Sequence, residues 1–584
     1  MSAIIGYWHH GPPARAQALL LKCLAASGRT FQQLNRSAND AHNRCFTAAL
    51  ASAGDGVRLH QTDQTLSATL SAAGLPGADG VLIEADTAGL RVRRDPFGCV
   101  PLFVTQRDGV VWFATRLQLL LPLFESARIS SEALTAYACL SWVPSPLAAV
   151  EGIFAVSAGS EIRFSSSQSV AAARRWHEWQ LTETEISDEA AAIAQLRHLL
   201  QQAIEAQAAD LSNEPVGVLL SGGLDSSVVA ALLVRAGVQV RAFALDFGDY
   251  GQSELPFAES VARHLQIPLV RVDATPRRIR RALVATAQAL DQPFGDGVTM
   301  PLYLLNEAAS REVSVIFNGE GGDQLFAGWT NKPIIAAGVY EQTHPAGDDF
   351  RQAYLRTFHR LHGFEASVFT RQFQTEAAQR DPLQWLGEAL DDSTSMPLLH
   401  RLRRAGLMLK GAQNIEPRAT NLAFAHGLKV RTPFCWLPLA EWTFSLAGEL
   451  CLRGPCEKYL LKRAAQDWLP PAVVWREKRG MGAPLTQWCS GPLWRELGRW
   501  LGPAALRAEG IWQPDLARRV VSGRLGAQFQ GRRIGEILWL LLAWQVWRRT
   551  VLRAETAESG PALYNPFWLP PRWWQLSGRI QADS

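Results

Sequence analysis

The sequence predicts an α/β protein in two parts. Residues 1–180 form an α+β, strand-rich N-terminal domain, and residues 181–584 form a parallel α/β sheet followed by a helical C-terminal part. Three observations predict this. Residues 80–115 alternate apolar and polar side chains between glycine turns. From Val216 to Phe326, short apolar runs alternate with helix-periodic segments, the pattern of a parallel sheet covered on both faces. After about residue 340, helical periodicity dominates.

In chain order, the stretch GVLIEADTAGLRVRRDPFGCVPLFVTQRDGVVWFAT predicts a meander of antiparallel strands turning at Gly89, Gly98 and Gly109. ISSEALTAYACLSW predicts a helix and GSEIRF a further strand. The small and polar residues of Ser165–Glu189 predict an interdomain linker. A helix follows, with Ile193, Leu196, Leu199, Leu200 and Ile204 on one face and Ser187 as its cap. VGVLLS, VRAFALDF, PLVRVDA and VSVIF are the strands expected in the parallel sheet. Near the end, ILWLLLAWQVW reads as a buried helix, since a bilayer span needs about 20 apolar residues.

Composition excludes several classes. Apolar residues make up 47% and charged residues 19%, so disorder is excluded. The net charge of +4, from 58 basic and 54 acidic residues, gives no electrostatic case for nucleic-acid binding. The eight cysteines show no C-x-x-C spacing and read as reduced, buried thiols of a cytoplasmic protein. Cys451 and Cys456 flank LRGP, a spacing that reads as chance ahead of a metal site. The start, MSAIIGYWHHGPPARAQ, has no signal-peptide pattern.

The loop Ser221-Gly222-Gly223-Leu224-Asp225-Ser226-Ser227 ends one apolar strand and opens a helix. Ligands of parallel sheets bind beyond the C-terminal strand ends. Gly222 and Gly223 allow close approach of backbone amides to an anion. The helix N-terminus adds partial positive charge and unpaired N–H groups. Ser221, Ser226 and Ser227 offer hydroxyls. The loop therefore suits phosphate oxygens, yet it lacks the lysine of G-x-x-x-x-G-K-[ST]. Asp225 would repel bare phosphate, and makes sense where Mg²⁺ bridges it to the phosphates.

SGGLDSS resembles the pyrophosphate-binding loop of the N-type ATP pyrophosphatases (PP-loop ATPases). FNGEGGDQLFAGW, LKVRTPF, EKYLLKRAA and REKRGMGAPL resemble, in order, later signatures of the asparagine synthetase branch. RRDPFGCVPLFV resembles that family's N-terminal glutamine amidotransferase domain, of the N-terminal nucleophile type. The resemblance implies an ATP-dependent, AMP-forming amide ligase. In such a ligase a carboxylate attacks the α-phosphorus of ATP, pyrophosphate leaves into the loop, and an amine attacks the acyl-adenylate. It implies ATP and Mg²⁺ as cofactors, with Asp225 and Asp323 holding the metal. Leu220, Val272, Asn318 and Gly319 match positions lining the adenosine, Lys458 a lysine near the α-phosphate, and Glu320 a position near the acyl substrate, a candidate for deprotonating the amine. Read singly, Asp323 would equally cap a helix and Lys458 stand as a solvated surface charge.

Glutamine-dependent members begin Met-Cys-Gly; this chain begins Met1-Ser2-Ala3-Ile4. A thiol is far more nucleophilic than a hydroxyl near neutral pH. The family's Asn-Gly-Glu string is absent from the first hundred residues, where DGVRLHQTDQTLSATL stands in roughly that region. The N-terminal domain is thus expected to be a degenerate amidotransferase. The branches lacking the cysteine are the β-lactam synthetase-like enzymes and the lasso peptide cyclases. The region from Thr330 to Ala412 departs from the asparagine synthetase pattern, and the tail is helical and aromatic-rich, with 21 tryptophans in the chain. Both lean toward a lasso peptide cyclase acting on a precursor peptide, with a leader peptidase and a leader-binding protein as partners. The alternatives are a small-molecule amide or β-lactam synthetase and an ammonia-dependent asparagine synthetase. A tRNA-modifying thiolase relative fits less well, because the nearest cysteines, Cys139 and Cys435, sit in no paired motif. A binding protein without catalysis fits poorly with Asp225, Asp323 and Lys458 together.

Overall fold

The computed structural model describes residues 2–570, apart from 11–13, 40–44, 55, 63, 74–79, 166–172, 182–184, 212, 251–253, 329–346, 359, 378–380, 392–395, 479, 527–531 and 554–565. The N-terminal part is a pair of six-stranded antiparallel sheets. The first orders Phe154–Ala155, Phe103–Arg107, Val110–Ala114, Ala3–His10, Cys45–Ala53 and Gln32–Asn39. The second orders Ala173–Arg175, Ser160–Ser165, Gly89–Arg94, Gly80–Ala85, Leu66–Ser71 and Val57–Gln61.

The strand Ala3–His10 is apolar almost throughout because both its faces are covered. Ile4 and Trp8 share a core with Leu66, Ile83 and Val92 of the other sheet. Their neighbours Ile5 and Tyr7 share one with Leu20 and Leu24 of the helix Ala14–Ser27, as the two-residue period of a strand requires.

Two expectations are corrected here. The predicted meander is two hairpins in two different sheets: Gly80–Ala85 pairs with Gly89–Arg94, and Phe103–Arg107 with Val110–Ala114. The chain crosses between the sheets around Gly98, whose φ is +68°. Alternation records which face a residue takes, not which sheet receives the strand. Part of the predicted linker is packed structure as well. Ala173–Arg175 forms an edge strand on Ser160–Ser165, Trp176 donates its Nε1–H to the Arg94 carbonyl at 3.0 Å, and Trp179 is buried and stacks on Phe444.

The helix Glu189–Ala208 carries its apolar residues on one face as expected, with Leu196, Leu199, Leu200 and Ile204 buried. Its cap is Asp188, not Ser187: the carboxylate accepts from the Ala190 and Ala191 amides. A carboxylate at a helix start gains from the helix dipole as well as from the hydrogen bonds.

The parallel sheet orders Leu269–Asp273, Val240–Asp246, Val216–Leu219, Val315–Phe317 and Lys429–Arg431, every neighbouring pair parallel. The four strands expected from apolar runs are all present, and LKVRTPF supplies the fifth. From Val216–Leu219 the chain first builds outward on one side and then returns to the other. The strand order therefore reverses between Val216–Leu219 and Val315–Phe317, and the crevice at their C-terminal ends is where such sheets take ligands.

The C-terminal part is helical. Its last long helix, Arg532–Val551, contains Ile537–Trp547, with Trp539, Trp544 and Trp547 buried. Among the described residues no helix is long and apolar enough to cross a membrane. The seven cysteines whose side chains are described form no disulfide with one another, and all but Cys456 are buried.

Candidate active site

The two loops that leave the central strands touch. The loop at 221–227 enters the helix Leu224–Arg235 with Gly223 at the cap position and no side chain capping it, so its first-turn N–H groups stay open to an anion. Gly222 sits at φ +74°, and a Cβ there would lie 2.5 Å from the Ala258 nitrogen, so only glycine fits. The Ser221 hydroxyl accepts from the Gly223 N–H at 3.2 Å and lies 3.1 Å from the Ser226 hydroxyl. Ser227 is fully buried and donates to the Gly223 carbonyl at 2.7 Å, so it shapes the loop from beneath.

From the other strand, Asn318 donates its backbone N–H to the Arg431 carbonyl at 3.0 Å, and its side-chain oxygen accepts from the Glu320 amide at 3.0 Å. Gly319 presses on the first loop, since a Cβ there would come within 2.5 Å of the Ser226 nitrogen. Leu220 is buried, its N–H bonded to the Phe243 carbonyl at 2.8 Å. Val272 is buried at the sheet edge, two strands from the crevice, opposite Leu245.

At the meeting point stand four charged groups. Lys458 Nζ lies 2.5 Å from Asp225 Oδ2 and 2.5 Å from Asp323 Oδ1. Lys478 Nζ lies 2.9 Å from Asp323 Oδ2. Lys458 is 2% exposed, which removes the reading of a solvated surface charge. It stands in the left-handed conformation, φ +54°, and donates its backbone N–H to the Phe326 carbonyl. Asp323 makes no cap for its short helix Gly322–Leu325, which removes the capping reading.

Burial would raise the Asp323 carboxyl, but Lys458 and Lys478 outweigh it and hold the group well below the usual carboxylate range. Asp225 goes the other way: burial, aided by repulsion from Asp323, raises it despite Lys458. Partial burial would lower the Lys478 ammonium, but Asp323 outweighs it and holds the group above its ordinary value. Burial also raises Glu320, against the attraction of Arg418.

Asp225 Oδ1 is buried and accepts no hydrogen bond among the described residues. A carboxylate oxygen without a donor, beside a second carboxylate, is the donor set a hard divalent cation takes, so the residues present fit Mg²⁺.

The asparagine synthase family model matches residues 195–549, more than half of the chain. The chain belongs to that family. It is an ATP-dependent carbon–nitrogen ligase of the asparagine synthetase kind. Asparagine synthetase [glutamine-hydrolyzing] 1 of Bacillus subtilis is 24% identical over 435 residues, 70% of this chain and 67% of its own length. A putative asparagine synthetase of Mycobacterium tuberculosis is 24% identical over 499 residues, 79% and 74% of the two chains. Asparagine synthetase B of Escherichia coli is 20% identical over 420 residues, 68% and 59%.

In this family member the sequence reading missed several charged neighbours. Lys478 lies inside REKRGMGAPL, but a lysine in a basic run looks like a surface residue until its partner is known. Arg418 pairs with Asp296, whose other oxygen accepts from the Thr299 hydroxyl at 2.6 Å. Lys410 lies on the π-helix Gly406–Ile415, in the field of Asp323 and Asp296, and burial pushes its ammonium down. π-helical turns frequently occur at functional sites. Of the region that departs from the family pattern, 330–346, 359, 378–380 and 392–395 fall outside the described residues, while the first seven residues of this helix belong to the part that is described.

Proposed function

We propose that this asparagine synthase family member is a lasso peptide cyclase. It joins the side-chain carboxyl of an Asp or Glu in a core peptide to that peptide's N-terminal amine, closing a macrolactam and releasing AMP and pyrophosphate. One pairing supports this reading above others. The Asp225–Lys458–Asp323 cluster is whole, while Ser2 replaces the family's cysteine nucleophile and no Asn-Gly-Glu string occurs in the first hundred residues. A synthetase that makes no ammonia of its own must take its amine from the substrate itself or from solution, and a peptide's own N-terminus is the first of these.

The steps follow from charge. The substrate carboxylate oxygen attacks the α-phosphorus of ATP, and the bond to the bridging oxygen breaks. Pyrophosphate leaves with its charge facing the open first-turn amides at Leu224–Ser226. Mg²⁺, held by Asp225 and Asp323, would neutralise phosphate oxygens. Lys458 places an ammonium where charge builds in the transition state, commonly a large part of catalysis. The peptide amine then attacks the acyl carbon, loses a proton, and AMP departs. Glu320, raised by burial, would take that proton. Holding amine and acyl carbon together gains up to about 7–11 kcal/mol. The partners in this reading are the precursor peptide, a leader peptidase and a leader-binding protein.

The test uses the purified full chain with ATP, Mg²⁺ and a leader-free peptide carrying a free amine and an internal Asp or Glu. The expected result is equal yields of AMP and a peptide lighter by one water, with fragmentation locating the isopeptide bond. AMP formation driven by free aspartate and ammonia, with no peptide product, would assign the chain to the ammonia-using asparagine synthetases instead.

A further inference from the structure

Outside the crevice, one group of side chains has a ligand-like arrangement that the amide-forming reaction does not use. Cys139 Sγ, on the helix Ser131–Leu140 of the N-terminal part, lies 3.5 Å from Glu365 Oε1. His362 Nδ1 lies 3.3 Å from the same oxygen. All three donor atoms fall within 4.8 Å of one another. Glu365 opens a short helix, Glu365–Val368, in the synthetase part.

We infer that Cys139, His362 and Glu365 form a zinc site that fastens the N-terminal part to the synthetase part. The spacings carry the inference. Zinc bonds of about 2.3 Å to sulfur and about 2.0–2.2 Å to nitrogen and oxygen, opened at the tetrahedral angle, set S···O about 3.5 Å and N···O about 3.3–3.4 Å apart. The observed 3.5 and 3.3 Å are those edges. A second observation is independent of the spacing. His362 Nδ1 is buried and makes no hydrogen bond among the described residues, although a carboxylate oxygen stands 3.3 Å away. Two donors that close and yet misaligned share a target rather than each other.

Charge agrees with geometry. A thiolate, a carboxylate and a neutral imidazole give two negative charges, which one divalent ion cancels, so the filled site is neutral in a buried place. A thiol must lose its proton to ligate, so binding runs as thiol plus metal ion to metal thiolate plus one released proton. Thiolate with imidazole selects zinc over magnesium or calcium. Cys139 is fully buried, whereas the side chains of His362 and Glu365 are 17% and 32% exposed, so an ion enters from their side and water completes the fourth vertex. The backbone is already set for it. Leu361 donates its N–H to the Ala138 carbonyl at 3.0 Å across the same junction, and Gly363, at φ +84°, donates to Glu365 Oε1 at 3.0 Å.

The test is metal content of the untagged full chain, desalted after incubation with zinc chloride. The expected result is about one zinc per chain, falling at least fivefold in both Cys139→Ser and His362→Ala. X-ray absorption on the wild-type protein covers the case in which a variant fails to fold: it should show one sulfur at about 2.3 Å with lighter scatterers at about 2.0 Å. Cobalt substitution should give a thiolate charge-transfer band. Wild-type chain retaining less than about a tenth of an equivalent, a zinc shell without sulfur, or unchanged zinc in both variants overturns the assignment. None of these measurements depends on ligase activity, so they stand or fall apart from the proposed reaction.

Discussion

Lys458 Nζ and Asp323 Oδ1 lie 2.5 Å apart, and the same nitrogen is 2.5 Å from Asp225 Oδ2. One buried ammonium thus joins the two loops that close the crevice. Lys458→Met removes it and keeps its bulk. ATP–pyrophosphate exchange should fall about 10²–10³-fold, as when one transition-state donor is lost. Thermal unfolding should show destabilisation of up to about 3 kcal/mol, limited because Asp225 can take up a proton once its partner is gone.

Asp323→Asn keeps the shape of the site and removes one anionic ligand. The Mg²⁺ concentration for half-maximal pyrophosphate exchange should rise at least about tenfold, or about 1.4 kcal/mol. Stripping Mg²⁺ with a chelator should stop exchange in the wild type, and added Mg²⁺ should restore it. An unchanged Mg²⁺ curve for the variant would remove Asp323 from the metal site.

Gly222→Ala puts a methyl group 2.5 Å from the Ala258 nitrogen at a φ of +74°. Such strain costs about 1–3 kcal/mol and would be relieved by opening the loop. The expected outcome is a lower thermal midpoint together with a raised KM for ATP. Gly480→Ala, which has open space around it, should leave both alone.

His400 is 2% exposed, and burial, with the Arg403 charge beside it, lowers it to about 3. The unfolded value is about 6.5. The folded chain therefore binds fewer protons than the unfolded chain between those values. The contribution is fully present above about pH 6.5 and is lost as pH falls toward 3, at about 1.4 kcal/mol per unit at most. Between pH 6.5 and 5, wild type should lose about 1.5 kcal/mol more than His400→Gln, read from denaturant unfolding at each pH.

Much of this site was legible because its residues lie in short strings whose chemistry is local. SGGLDSS declares a tight turn, an open helix start and a carboxylate; NGEGGD repeats the theme at the next strand. What stayed hidden was long-range. Lys478 meets Asp323, Arg418 meets Asp296, and Arg116 meets Asp291 at 2.6 Å, each pair joined by tertiary packing alone. The cluster of Cys139 with His362 and Glu365 is likewise invisible to spacing rules. The strand faces of the N-terminal part could be read from alternation, but their allotment to two sheets could not, because a hairpin carries no mark of which sheet it enters. Asp188 displaced Ser187 as a cap by a single residue, within the reach of ordinary helix-end ambiguity.

Arg94 is buried in the N-terminal part, where its guanidinium donates to the carbonyls of Gly98, Val100 and Val156, and also, at 3.2 Å, to Ala412 on the π-helix. Arg116 reaches across likewise to Asp291. These bonds turn the first 180 residues into scaffolding for the helix beside the crevice. Truncating that segment would strand the Ala412 carbonyl and the Asp291 carboxylate in the interior. The synthetase half leans on its neighbour for its shape, whatever reaction that neighbour performs.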